Sequence, residues 1–162
     1  MNKYEGKLTK PYEAAVFSYE VLKKLGSGKV VTFSDRFISQ KTQYFAQLFG
    51  VSPSYQFNLY LRGPYSPALT QDLFAICGID SDYQKKRFVS DELEDRFEQL
   101  KDFLKGKEPR QLEIIATLHW LLEVAELSIP DVKKKMIQLK EVTDIEFSQA
   151  LKSIQVIRKQ IK

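Results

Sequence analysis

A chain of 162 residues is long enough to bury a core of its own, and 43% apolar with 28% charged residues is ordinary globular composition. Cys77 and His119 are the only cysteine and histidine, which excludes an internal disulfide and leaves too few ligands for a zinc site. No segment approaches the roughly 18 apolar residues that span a membrane, and Met1–Lys7 lacks the apolar stretch of a signal peptide, so a cytoplasmic, reducing location is expected, with no membrane partner.

The net charge of +4 is unevenly placed. Residues 127–162 hold Lys133, Lys134, Lys135, Lys140, Lys152, Arg158, Lys159 and Lys162 against Asp131, Glu141, Asp144 and Glu146, which accounts for the whole excess. The rest of the chain is neutral.

In chain order, a first helix is expected from about Thr9 and Pro11, where Phe17, Val21 and Leu25 recur every four residues until Gly26-Ser27-Gly28 stops it. Lys29–Phe33 reads as a short extended stretch. Ser34 is expected to cap a second helix with a stripe of Ile38, Lys41, Phe45 and Leu48, ending at Gly50. Residues 55–62 alternate with period two, placing Tyr55, Phe57, Leu59 and Leu61 on one side of a strand. A strand needs a partner, and either Lys29–Phe33 or Arg87–Val89 can supply it. Gly63-Pro64-Tyr65-Ser66 reads as a turn, with Ser66 the N-cap and Pro67 the first residue of a helix to Gly78.

Residues 79–89 read as a polar connection. Ser90 caps a helix with Leu93, Phe97, Leu100 and Leu104 in line, closed by Gly106. Pro109 opens the next, with Leu112, Ile115, Leu118, Leu122 and Ala125 on one face. Ser128 begins a short helix carrying Val132, Met136 and Leu139. Thr143-Asp144-Ile145-Glu146 is a capping box before Phe147, Ala150, Leu151, Ile154, Ile157 and Ile161. The fold class expected is mainly α (α+β): a single domain over 1–162, multi-helical, with a small two- or three-stranded sheet. Its C-terminal part admits a winged-helix outline, and a subdomain break falls near 106–109.

No residue set assembles a catalytic, cofactor or metal site. His119 and Glu123 lie four apart, but two ligands do not close a metal site, and a partly buried helix histidine is the favoured reading. Asp91, Glu92, Glu94, Asp95, Glu98 and Asp102 surround an apolar line, as a solvated helix face does. Cys77 reads as a small buried hydrophobe. Lys133, Lys134 and Lys135 sit on a short helix followed by a longer one, the outline of a helix-turn-helix unit, and with Arg158 and Lys159 they are the candidates for contact with nucleic acid. A solvated lysine face is the competing reading. Tyr60, Arg62 and Tyr65 flank a rigid Gly-Pro turn and have the aromatic–Arg composition of protein-binding hot spots. Packing of the tyrosines against the small sheet is the alternative.

Gln40-Lys41-Thr42-Gln43-Tyr44-Phe45, followed by Phe57-Asn58-Leu59-Tyr60-Leu61-Arg62-Gly63-Pro64-Tyr65-Ser66-Pro67-Ala68-Leu69, resembles the YwgA-like family of uncharacterised prokaryotic proteins. More distantly it is similar to the Panacea domain, seen in antitoxins of toxin–antitoxin pairs. The resemblance covers about residues 34–78. It implies a mainly helical domain with a small sheet, a role in binding rather than catalysis, and no catalytic residues. The function expected is a non-enzymatic regulatory or protein-interaction module, antitoxin-like by that resemblance, with another protein as partner. A DNA-binding helix-turn-helix protein is the alternative, and an enzyme ranks last.

Overall fold

The computed structural model describes residues 8–78 and 90–161. Among them, seven α-helices and one two-stranded antiparallel sheet make the chain mainly α, as the periodicity predicts. The helices are α1 (Tyr12–Lys24), α2 (Phe33–Leu48), α3 (Pro67–Gly78), α4 (Asp91–Leu104), α5 (Pro109–His119), α6 (Ile129–Lys140) and α7 (Asp144–Ile161), and the strands are β1 (Asn58–Tyr60) and β2 (Gly63–Tyr65). No helix among the described residues is long and apolar enough to cross a membrane. The expected polar connection 79–89, with its strand candidate Arg87–Val89, lies outside the described residues, as do Met1–Lys7 and Lys162.

The residues divide into two compact units, Met1–Asn58 with Tyr65–Lys105, and Leu59–Pro64 with Gly106–Lys162. In the first, α1, α2 and α3 pack on one another and α4 packs on α2. Leu22, Val30, Tyr55, Leu69 and Leu73 form one buried cluster. Phe103 of α4 lies 5.2 Å from Phe45 and 5.3 Å from Phe49, ring centre to ring centre. Helix α2 is buried all round from Ser39 to Ala46, a run that includes Ser39, Gln40, Lys41, Thr42 and Gln43. The expected stripe understated this, because Ile38 and Leu48 are only half-buried while the polar residues between them are inside.

Three local expectations give way to the structure. Thr32, not Ser34, caps α2: its hydroxyl accepts from the Asp35 N–H at 3.0 Å, and the Asp35 carboxylate accepts from the Thr32 N–H at 3.0 Å. Only Thr32 has an acid three residues on, so only it closes a reciprocal capping box. Lys29–Val31 therefore leads into the helix as irregular chain rather than as a strand. Cys77 is exposed rather than buried.

The strand also differs. Only Asn58–Tyr60 of the alternating stretch pairs, and its partner is Gly63–Tyr65, the segment read as a turn. Tyr55 cannot join a ladder because the Gln47 side chain already holds its backbone, accepting from its N–H at 2.7 Å and donating to its C=O at 3.0 Å. Leu61 and Arg62 make the hairpin turn, and Gly63 at φ 95° supplies the positive dihedral such a connection needs. Leu61, read as sharing one side of the strand with Tyr55, Phe57 and Leu59, lies in the turn and is 90% exposed.

In the second unit α5 packs along α7. After His119 the α5 backbone widens into one π-helical turn, Trp120–Val124, in which the Ala125 N–H donates to the Trp120 carbonyl at 3.0 Å. Ser128 caps α6 and the Thr143–Glu146 box caps α7, both where the sequence places them. The α6–α7 connection is three residues, Glu141–Thr143, with Glu141 left-handed at φ 50°.

Candidate functional site

The hairpin tip and the C-terminal helices, all within the second unit, carry most of the residues singled out by the sequence. Lys140, in the last turn of α6, has a side chain only 7% exposed. Its ammonium donates to the Glu113 carboxylate of α5 at 2.5 Å and to the Leu61 carbonyl at 3.1 Å. The hairpin turn is thereby fastened to a nearly buried ion pair, while the Leu61 side chain faces solvent. Tyr60 is half exposed and Arg62 exposed on either side of it. Tyr65 belongs to the first unit, is half-buried, and its hydroxyl lies 2.8 Å from that of Thr70.

The basic candidates separate into two kinds. Lys133 pairs with Asp144 at 3.1 Å and lies over the Phe147 ring. Arg158 donates to Glu123 from Nε at 2.9 Å and from a terminal nitrogen at 2.6 Å. Lys134, Lys135 and Lys159 are exposed, and among the described residues no carboxylate pairs with them. Arg110 grips Glu146 at 2.8 Å and also donates to the Lys140 carbonyl at 3.2 Å, joining the N-terminus of α7 to the C-terminus of α6. That guanidinium and the Thr143 N–H together hold the Glu146 carboxyl down to about 2.

His119 is 7% exposed, and burial pushes its imidazole down to about 4. Glu123 favours the charged form, but Arg158 opposes it and already occupies that carboxylate. The pair is thus a neutral ring beside a surface ion pair. The six acids of α4 are all exposed, as read from the sequence. Among the described residues no group of three or more His, Cys, Asp or Glu side chains is placed to hold a metal ion.

The first unit holds a buried polar network that the sequence did not announce. The Gln40 carboxamide accepts from the Ser66 N–H and donates to the Ser66 carbonyl, both at 2.9 Å, and donates to Thr70 at 2.8 Å. Asp72 is 1% exposed and accepts from the Thr9 N–H at 2.7 Å, the Thr9 hydroxyl at 2.8 Å and the Tyr55 hydroxyl at 2.8 Å. Burial and the Asp72 carboxylate raise the Tyr55 phenol far above its usual range, so it stays a donor. The pairing of Gln40 with Ser66 joins the middle of α2 to the residue that precedes α3. A glutamine inside a buried helix run was the available signal.

Comparisons with protein-family models, with curated proteins and with solved structures found no match to the chain.

Proposed function

We propose that the protein is a non-catalytic regulatory module that binds another protein, with the hairpin tip Tyr60-Leu61-Arg62 as its docking point. The observation that carries this reading is Leu61, 90% exposed at the apex of a turn whose carbonyl is clamped by Lys140. A large apolar side chain held in solvent by a buried anchor loses little conformational entropy when a partner covers it. Its neighbours Tyr60 and Arg62 are of the two residue types, with Trp, that dominate binding hot spots. The resemblance to the YwgA-like family and, more distantly, to the antitoxin-associated Panacea domain points the same way. A cytoplasmic setting fits a chain whose single thiol has no cysteine to pair with.

The test is recovery of partners by tagged wild type and by Leu61→Asp, with nuclease treatment, from the native host. One near-stoichiometric protein that survives nuclease and is lost with Leu61→Asp supports the reading. Its isolated affinity should then fall at least tenfold for Tyr60→Ala with Arg62→Ala. Equal recovery or affinity with both variants would assign the tip no binding role.

A further inference from the structure

We infer that the solvent face of α7 is a contact surface for duplex DNA. The face is defined by Ser148, Lys152, Gln155 and Lys159, all exposed and spaced four, three and four residues apart, so that they form one line along the helix. From Phe147 onward the sequence holds no acid, while Lys152 and Lys159 supply the cations of this line and Arg158 is engaged by Glu123.

Two ordinary explanations of such a face fail. A helix that merely meets solvent mixes both signs: α4 interleaves its acids with Arg96 and Lys101 and closes an Arg96–Glu92 pair at 2.6 Å. Helix α7 makes no such pair along this line. The helix dipole favours cations in the last turn, which covers Arg158 and Lys159 but not Lys152, nearly two turns earlier.

Three acids of this unit are held in ion pairs, while Glu126, Asp131 and Glu141 stand exposed off this line. Asp144 is held by Lys133, Glu146 by Arg110 and Glu123 by Arg158. What this line offers outward is two lysines, one amide and one hydroxyl, complementary to phosphate and able to donate to base edges.

The surrounding architecture suits a groove. A 12-residue α6, a three-residue connection through left-handed Glu141 and an 18-residue α7 packed on α5 have the element lengths of a helix-turn-helix unit, whose second helix enters the major groove. Lys134 and Lys135, exposed on α6, occupy the helix that crosses the backbone in such a unit. The duplex is DNA rather than RNA because the A-form major groove is too narrow for a helix.

The experiment is fluorescence anisotropy of a labelled mixed-sequence DNA duplex against the full chain, as salt rises from about 50 to about 200 mM. Wild type should bind at low salt and weaken steeply. Lys152→Ala with Lys159→Ala removes two phosphate partners, so affinity should fall about tenfold and the salt slope should drop by about 2. Gln155→Glu, an acid in the middle of the line, should weaken binding while leaving the circular dichroism unchanged. Lys24→Ala with Lys101→Ala, which removes the same charge from the other unit, should bind like wild type. Absence of wild-type binding, an unchanged slope for the α7 double variant, an equal loss in the control, or tighter binding to duplex RNA or single strands would each overturn the assignment.

Discussion

The Gln40 side chain holds both main-chain groups of Ser66 at once, accepting from its N–H and donating to its carbonyl at 2.9 Å each. One carboxamide thus does what a neighbouring strand would do. It closes the end of β2 against the middle of α2 at a point where Ser66 is wholly buried and no water can substitute. Ser66 is then free to cap α3, its hydroxyl accepting from the Leu69 N–H at 3.3 Å.

Gln40→Ala should therefore leave the buried Ser66 N–H unpaired, while the Ser66 carbonyl keeps only the Thr70 N–H of α3, and cost about 1–3 kcal/mol. Gln40→Glu is the sharper variant. A carboxylate accepts from the Ser66 N–H but cannot donate to its carbonyl, so it should restore little of that stability near neutral pH. Urea unfolding of the three proteins checks the order. A Gln40→Ala protein as stable as wild type would remove the pairing from the list of things that hold the hairpin.

The Tyr55 hydroxyl is one of three donors to Asp72, and the other two come from Thr9. Tyr55→Phe should cost about 1–2 kcal/mol, because the carboxylate keeps two donors. Asp72→Ala removes the acceptor of all three bonds at once and should cost more than Tyr55→Phe. Thermal melts of the two variants give the ranking, and equal losses would mean that Tyr55 alone carries the interaction.

How far these features were legible depends on how local their causes are. Ser90, Ser128 and the Thr143–Glu146 box cap helices from within four residues, and each could be read from sequence. Thr32 is equally local, but Ser34 offers a second hydroxyl, and it is Asp35, three residues after Thr32, that decides between them. The alternation over 55–62 marks a strand that forms only at Asn58–Tyr60, because Gln47, eight residues upstream, takes up the Tyr55 backbone and Leu61 and Arg62 turn. Tyr60 and Arg62 were picked out by composition. The pattern carries Leu61 between them on into the strand, since nothing in it shows a turn at its position. The Lys140 anchor joins residues 27 and 79 positions apart and left no trace in the local sequence.

That anchor is open to a direct test. Lys140→Met leaves the Glu113 carboxylate, 17% exposed, without its cation and the Leu61 carbonyl without its donor. Breaking one side of a nearly buried pair costs about 3–5 kcal/mol, whereas removing both charges costs much less. Lys140→Met with Glu113→Leu should accordingly recover most of the stability lost by Lys140→Met alone. Hydrogen exchange across Leu59–Pro64 should accelerate in both variants, because neither holds the tip. Slow exchange there in the double variant would show that the hairpin needs no clamp.

The pH dependence of stability has two separable sources in the second unit. His119 has an ordinary value of 6.5 and a folded value of about 4, so between those limits the unfolded chain takes up a proton that the folded chain refuses. Stability from this group is complete above about pH 6.5 and is lost as pH falls toward 4, by at most roughly 3 kcal/mol. Glu146 moves from 4.5 to about 2, so its contribution is complete above about 4.5 and disappears as pH falls through 2. Acidification should then destabilise in two stages, histidine first and carboxylate second. His119→Gln should flatten the urea midpoint between about pH 7 and about pH 4.5 and leave the lower stage in place, while Glu146→Gln should do the reverse. Were His119→Gln to keep the full upper slope, the loss would belong to some other group, and the buried ring would carry no part of the acid sensitivity.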